Sequence, residues 1–303
     1  MDRRTFVRRS LGASVLAGTA LNVGTLERLF ALPNLPYDLV AVRGGEPDVM
    51  FDKAIEALGG MKAFVKKGNK VVVKPNIGWD VGPERGGNTN PRLVRRIVEH
   101  CFQAGAKEVF VFDHTCDDWR STYRTSGIER AAKDAGATVA PGNSERNYHS
   151  VTVPGGNIMK TAMVHELILE SDVFINVPIL KDHEGARVTI GMKNLMGIVW
   201  DRGYWHRNGL QECIAEFAGC RKPDLNVVDA YYVMKQNGPR GVSADDLVTM
   251  KAQLVSTDIV AVDAASAKLY GLSPDDVKHI KMAAERKVGR MDLENLNIKR
   301  IAV

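Results

Sequence analysis

Five short polar clusters carry the residues with chemical potential: Lys74-Pro75-Asn76, Asp113-His114-Thr115, Lys181-Asp182-His183, Lys193-Asn194 and the single Asp229. All but Lys193-Asn194 follow or end a run of apolar, mostly β-branched residues, such as Val71-Val72-Val73 before Lys74 or Val227-Val228 before Asp229. A lysine beside low-dielectric walls has a depressed pKa unless an anion compensates it. Three lysines gathered in one place would repel one another, and an anionic guest would relieve that cost. The chemistry expected is therefore recognition of a small carboxylate or phosphate by Lys74, Lys193, Asn76 and Asn194. Lys181 and His183 would be the reacting groups, with Asp113 or Asp229 orienting the histidine or serving as partner base. A desolvated lysine could alternatively form an imine with a carbonyl substrate.

Gly86-Gly87-Asn88-Thr89-Asn90-Pro91 adds a second anion signal. Glycines permit close backbone approach, and a helix opening at Pro91 offers free amides and the positive end of its dipole, so Asn88 and Thr89 join the expected binding residues. The stretch is neither a Walker loop nor a G-x-G-x-x-G loop.

These clusters act together only if the chain brings them together. From residue 38 short β-branched runs alternate with helical periodicity, the pattern of βαβ units. Strands are expected at 38–42, 70–74, 108–113, 173–177, 225–229 and 252–256, with helices at 48–58, 91 onward, 127–135, 208–218, 258–270 and 274–285. Residues 148–153 alternate like an antiparallel strand, and Lys181 to Gly185 reads as a loop. The fold class is α/β: a mostly parallel, doubly wound, Rossmann-like sheet with an irregular antiparallel insertion. In such sheets ligands bind outside the carboxyl ends of the strands.

The first 35 residues read differently. Asp2-Arg3-Arg4-Thr5-Phe6 and a mildly apolar Leu11 to Val23 form a twin-arginine signal pattern, followed by the linker Leu32-Pro33-Asn34-Leu35-Pro36. The apolar stretch is shorter than the roughly 20 residues that span a bilayer, so no stable membrane span is expected. Residues 1–35 are thus a signal and linker, and 36–303 one α/β domain. The expected partner is the twin-arginine export machinery and the expected location the periplasm or another extracytoplasmic space.

Charge excludes one class of partner. The chain of 303 residues carries a net +5, of which five arginines against two acids in the first 35 residues supply +3. The +2 that remains shows no Lys/Arg block with interleaved aromatics, so a nucleic-acid surface is not expected. The four cysteines, Cys101, Cys116, Cys213 and Cys220, have no two-residue spacing of the kind that holds zinc or an iron–sulfur cluster and read as buried thiols. His183, His114, Asp113 and Asp229 could ligate a metal, but the neighbouring lysines oppose a cation. His149 and His279 read as solvated. Trp200, Tyr204, Trp205 and His206 form either a lid or carbohydrate platform, or a surface loop packed on the domain.

Val71 to Asn76, Pro178 to His183 and Thr189 to Gly197, together with Asp258 to Ala265 and Leu269 to Gly271, resemble the uncharacterised DUF362 family over most of residues 38–303. The resemblance implies no specific activity or cofactor. Some relatives carry ferredoxin-type cysteine clusters, and this chain does not. Three functions stay open: an enzyme acting on a small anion, a metal- or cofactor-binding protein, and an exported binding protein without catalysis.

Overall fold

The computed structural model describes residues 35–303, and Leu35–Val303 form one compact unit. The twin-arginine motif lies outside the described residues. In chain order the strands are β1 (Leu39–Arg43), β2 (Lys70–Pro75), β3 (Glu108–Val111), β4 (Thr138–Val139), β5 (Tyr148–Thr152), β6 (Thr161–His165), β7 (Val173–Val177), β8 (Ile179–His183), β9 (Arg187–Thr189), β10 (Leu225–Met234), β11 (Leu247–Ser256) and β12 (Ile298–Ala302).

The main sheet runs β12-β1-β11-β10-β7-β2-β3-β4, with β8 and β9 attached beyond β10. Its centre, β10-β7-β2-β3-β4, is parallel. Antiparallel β11 lies between β10 and β1, and β5 and β6 form a separate antiparallel pair. This is a mostly parallel α/β sheet with an antiparallel insertion, as the alternating pattern implies.

Side chains alternate across a strand, and β2 shows what that does. Val71 and Val73 pack with the helices Pro47–Ala57 and Pro91–Ala104 on one side. Val72 packs on the other side with Met192, Leu195 and the helix Ile259–Tyr270. Lys74 and Asn76 share the parity of Val72, so they face the segment that carries Lys193 and Asn194. The helix Pro91–Ala104 begins as its sequence indicates: the Asn90 side chain accepts the Arg92 N–H at 3.0 Å, Pro91 occupies the first turn, and Leu93, Val94, Ile97, Val98 and Cys101 form the buried stripe.

Three expectations change. Lys181 and His183 lie not in a loop but on β8, which pairs with β9 in the register Lys181↔Thr189 and His183↔Arg187. Asp229 does not end its strand, because β10 continues to Met234. The polar end of β11, Ser256 to Asp258, leaves at the opposite edge from its parallel neighbours because β11 is antiparallel to β10; Asp258 there caps the helix Ile259–Tyr270. Among the described residues no helix is long and apolar enough to cross a membrane.

Candidate functional site

At the carboxyl ends of β2 and β3, roofed by the β8–β9 hairpin and the segment 191–198, lies a cleft of about 380 Å³. Lys74, Asn76, Asp113, Lys181, His183, Lys193 and Asn194 all line it, seven residues drawn from four separate parts of the chain.

Lys74 is the most deeply placed. Its ammonium faces Asp113 Oδ1 at 2.9 Å and donates to Asn194 Oδ1 at 2.8 Å. Asp113 Oδ1 is held by this charge contact rather than by a directed hydrogen bond, while Oδ2 accepts the Ile77 N–H at 2.7 Å. Burial lowers the Lys74 pKa and Asp113 opposes that fall. The contact exists because residue 197 is glycine: a Cβ there would overlap Asp113 Oδ1 and lie 2.6 Å from Lys74 Nζ.

Lys181, 1% exposed, donates to the Gly87 carbonyl at 2.6 Å and to Asn76 Oδ1 at 3.0 Å. Both acceptors are neutral, and burial pushes its pKa down to about 7, with Lys193 and Lys74 adding to the fall. Lys193 is partly buried and has no hydrogen-bond or ion-pair partner among the described residues. It keeps some surface open to the cleft, and burial brings it to about 8. Burial, then Lys193 and Lys181, push His183 down to about 3, so its imidazole is neutral at physiological pH. The Ala186 N–H donates to His183 Nδ1 at 3.2 Å. The proton of the neutral ring is thereby assigned to Nε2, which makes His183 a hydrogen-bond donor oriented by backbone.

Asn88, Thr89 and Asp229 do not line this cleft. Asn88 clamps the loop after β2, accepting the Gly78 and Trp79 N–H groups and donating to the Trp79 and Val81 carbonyls. The Thr89 hydroxyl donates to the Val177 carbonyl and accepts the Asn76 N–H. Asp229 accepts the Asn90 N–H at 2.7 Å and the Tyr231 N–H at 3.0 Å, and burial raises its pKa to about 6. The anion expected at the start of helix Pro91–Ala104 is thus the protein's own carboxylate. Neither Asp113 nor Asp229 orients His183, since one pairs with Lys74 and the other lies elsewhere.

Residues the sequence reading passed over support the site from behind. Asn194 Nδ2 donates to Asn176 Oδ1 at 2.9 Å, and Asn176 Nδ2 donates to Asn226 Oδ1 at 3.0 Å and to the Gly191 carbonyl at 3.1 Å. Asp263 accepts the Gly191 N–H at 2.7 Å and the Met192 N–H at 2.9 Å, holding the turn that carries Lys193; burial raises its pKa to about 7 against those two bonds. A lone asparagine inside Val-Phe-Ile-Asn-Val or Leu-Asn-Val-Val was the available signal, because a buried amide requires partners.

Cys116 is exposed and lines the cleft, against the expectation of a buried thiol; the Arg202 guanidinium donates to its Sγ at 3.4 Å. Arg202 and His206 also reach the cleft. The Trp200–His206 stretch is a packed wall, with Trp205 buried, the Tyr204 hydroxyl donating to the Ile158 carbonyl, and Trp200 stacked on His114. His279 is fully buried rather than solvated, its Nδ1 2.7 Å from Gln211 Oε1.

The profile of DUF362, a domain of unknown function, matches residues 71–268, which hold every residue lining the cleft. The chain belongs to the DUF362 family. A thylakoid-associated protein of Synechocystis sp. is 26% identical to this DUF362 chain over 243 residues, 78% of this chain and 73% of the relative. Among solved structures, the lactate racemase apoprotein of Thermoanaerobacterium thermosaccharolyticum aligns with TM-score 0.44 and 14% identity over 74% of this chain and 55% of that one. A Thermotoga maritima protein aligns with TM-score 0.44 and 12% identity over 79% and 58%. The DUF362 chain therefore spans little more than half the length of either solved structure.

Proposed function

We propose that this DUF362 domain is an enzyme acting on a small carboxylate- or phosphate-bearing substrate. Residues 1–35 would send it, already folded, through the twin-arginine machinery to the periplasm or another extracytoplasmic space. One observation carries the anion reading: three lysines line a single cleft whose only carboxylate among the described residues, Asp113, is engaged with one of them. A pKa of about 7 for Lys181 corresponds to roughly 5 kcal/mol against charging it. Charge-assisted hydrogen bonds to an anion, about 1.5–3 kcal/mol each, recover a cost of that order.

In this reading Lys181 and Lys193 hold the anion, Asn76 offers it the Nδ2–H not given to Asn194, Asn194 holds Lys74 and Asn76 in place from beneath, and His183 gives an Nε2–H bond to oxygen that gains charge during reaction. Lys193, without an acceptor among the described residues, is the ammonium left free to meet the guest.

The metal alternative finds no support in the donor set. Asp229 stands apart from the cleft, Asp113 is bound to Lys74, and among the described residues no three His, Cys, Asp or Glu side chains converge as a metal site. A non-catalytic binding protein would use the same cleft and differs only in turnover.

Mass spectrometry of small molecules co-purifying with the natively expressed protein identifies the substrate. Lys181→Ala and His183→Ala then test the assignment. Affinity and turnover untouched by both substitutions would overturn it.

A further inference from the structure

We infer that the guest of this cleft carries two anionic groups, and that Lys193 is the residue that calls for the second. The inference rests on the anion reading above and narrows it to a class of substrate.

Four basic side chains line the cleft: Lys74, Lys181, Lys193 and Arg202. The one lining acid, Asp113, lies against Lys74 at 2.9 Å. The other three meet only neutral partners or none. Lys181 donates to an amide oxygen and a carbonyl. Arg202 donates to the His114 and Thr115 carbonyls at 2.8 and 2.6 Å and to Cys116 Sγ. Lys193 has no partner among the described residues.

The lining histidines and the nearby acids do not alter this balance. His183, His114 and His206 are all driven toward their neutral forms, by burial first and then by the lysines or Arg202. Asp182, next to Lys181, projects from the other face of β8 and accepts the Gly238 N–H. Asp117 pairs with Arg240.

Three basic groups thus face one small space without a carboxylate partner among the described residues, with the Cys116 thiol beside them. A single carboxylate answers one of them and leaves the others desolvated, which is costly where water is excluded. A second anionic group on the same molecule answers another. The volume of about 380 Å³ is near the low end of ligand pockets, roughly 300–1,000 Å³, so both groups belong to one compact molecule. Two carboxylates, or a carboxylate and a phosphoryl group, meet this description.

Calorimetric titration of the full chain at pH 7 and constant ionic strength, with acetate, succinate and 3-phosphoglycerate as probes, tests the inference. Succinate or 3-phosphoglycerate should bind at least about ten-fold more tightly than acetate, and whichever is tighter identifies the second group. Acetate binding as well as both would overturn the two-anion inference while leaving the anion cleft standing. Absence of binding by all three would remove the anion reading and this inference with it. In Lys193→Gln the preference for the doubly charged probe should collapse toward unity, whereas Lys193→Arg should keep it. A preference unchanged in Lys193→Gln would take the role from Lys193, and the wild-type comparison stands even if that variant does not fold.

Discussion

Asp263 receives the Gly191 N–H at 2.7 Å, which joins a helix late in the chain to the turn from which Lys193 and Asn194 project. Its other oxygen takes the Met192 N–H. Asp263→Ala leaves both amides unpaired inside the protein, at about 1–3 kcal/mol each. Denaturant unfolding should show a loss of roughly 2–5 kcal/mol, and affinity for a small anion should weaken with it because the turn is no longer held.

Gly197 leaves room for the Lys74–Asp113 contact. In Gly197→Ala the new Cβ meets Asp113 Oδ1 and Lys74 Nζ, so the pair must separate. Breaking a buried ion pair costs about 3–5 kcal/mol. A fall of that order in unfolding free energy is expected, together with loss of anion binding; an unchanged denaturant midpoint would show that the segment yields instead.

Lys181 at about 7 and Lys193 at about 8 set a pH window for binding. On the proposed reading an anion would bind their protonated forms and raise both values, so affinity should be greatest below pH 7 and decline as pH rises through 8. Calorimetry in buffers of different ionisation enthalpy should detect proton uptake on binding near pH 8. Stability of the empty protein runs the other way. Unfolded lysines hold their protons up to about 10.4, so between pH 7 and 10 the unfolded chain binds more protons and the fold gains stability with rising pH.

Asp229→Asn replaces one acceptor oxygen by a donor facing the amides of Asn90 and Tyr231. Unfolding free energy should fall by about 1–3 kcal/mol, while anion affinity changes less than two-fold because Asp229 is outside the cleft. A loss of binding as large as that of Lys181→Ala, with stability intact, would restore Asp229 to the site.

Arg3 and Arg4 are the residues on which twin-arginine export depends in the proposed route. Changing both to lysine should retain the protein in the cytoplasm, as cell fractionation would show, with the folded domain unaltered.

What the sequence made legible follows from how locally each feature is determined. The apolar runs at 71–73 and 173–177 mark buried strands without knowledge of their neighbours, and Asn90-Pro91 announces a helix start because the cap is a contact two residues long. Lys74, Asn76 and Asp113 line one cleft because parallel strands deliver their ends to one edge, and Lys181, His183, Lys193 and Asn194 join them from the β8–β9 hairpin and the turn that follows it. Asp229 misled because only pairing shows that β10 runs on past it. Lys181 to Gly185 reads as a loop because three consecutive polar residues, Lys181, Asp182 and His183, fall on both faces of a short strand and leave no alternation to see. Asn176, Asn226 and Asp263 act through partners 15 to 72 residues away, a distance no local pattern spans.

The two cations also differ in how much freedom they keep. A charged ammonium has three N–H bonds. Lys181 commits two of them, to Gly87 and Asn76, so the third projects along one direction. Lys193 commits none among the described residues and can swivel. A guest entering the cleft therefore meets a rigid pointer and a rotating clasp, the first fixing its orientation and the second following its shape.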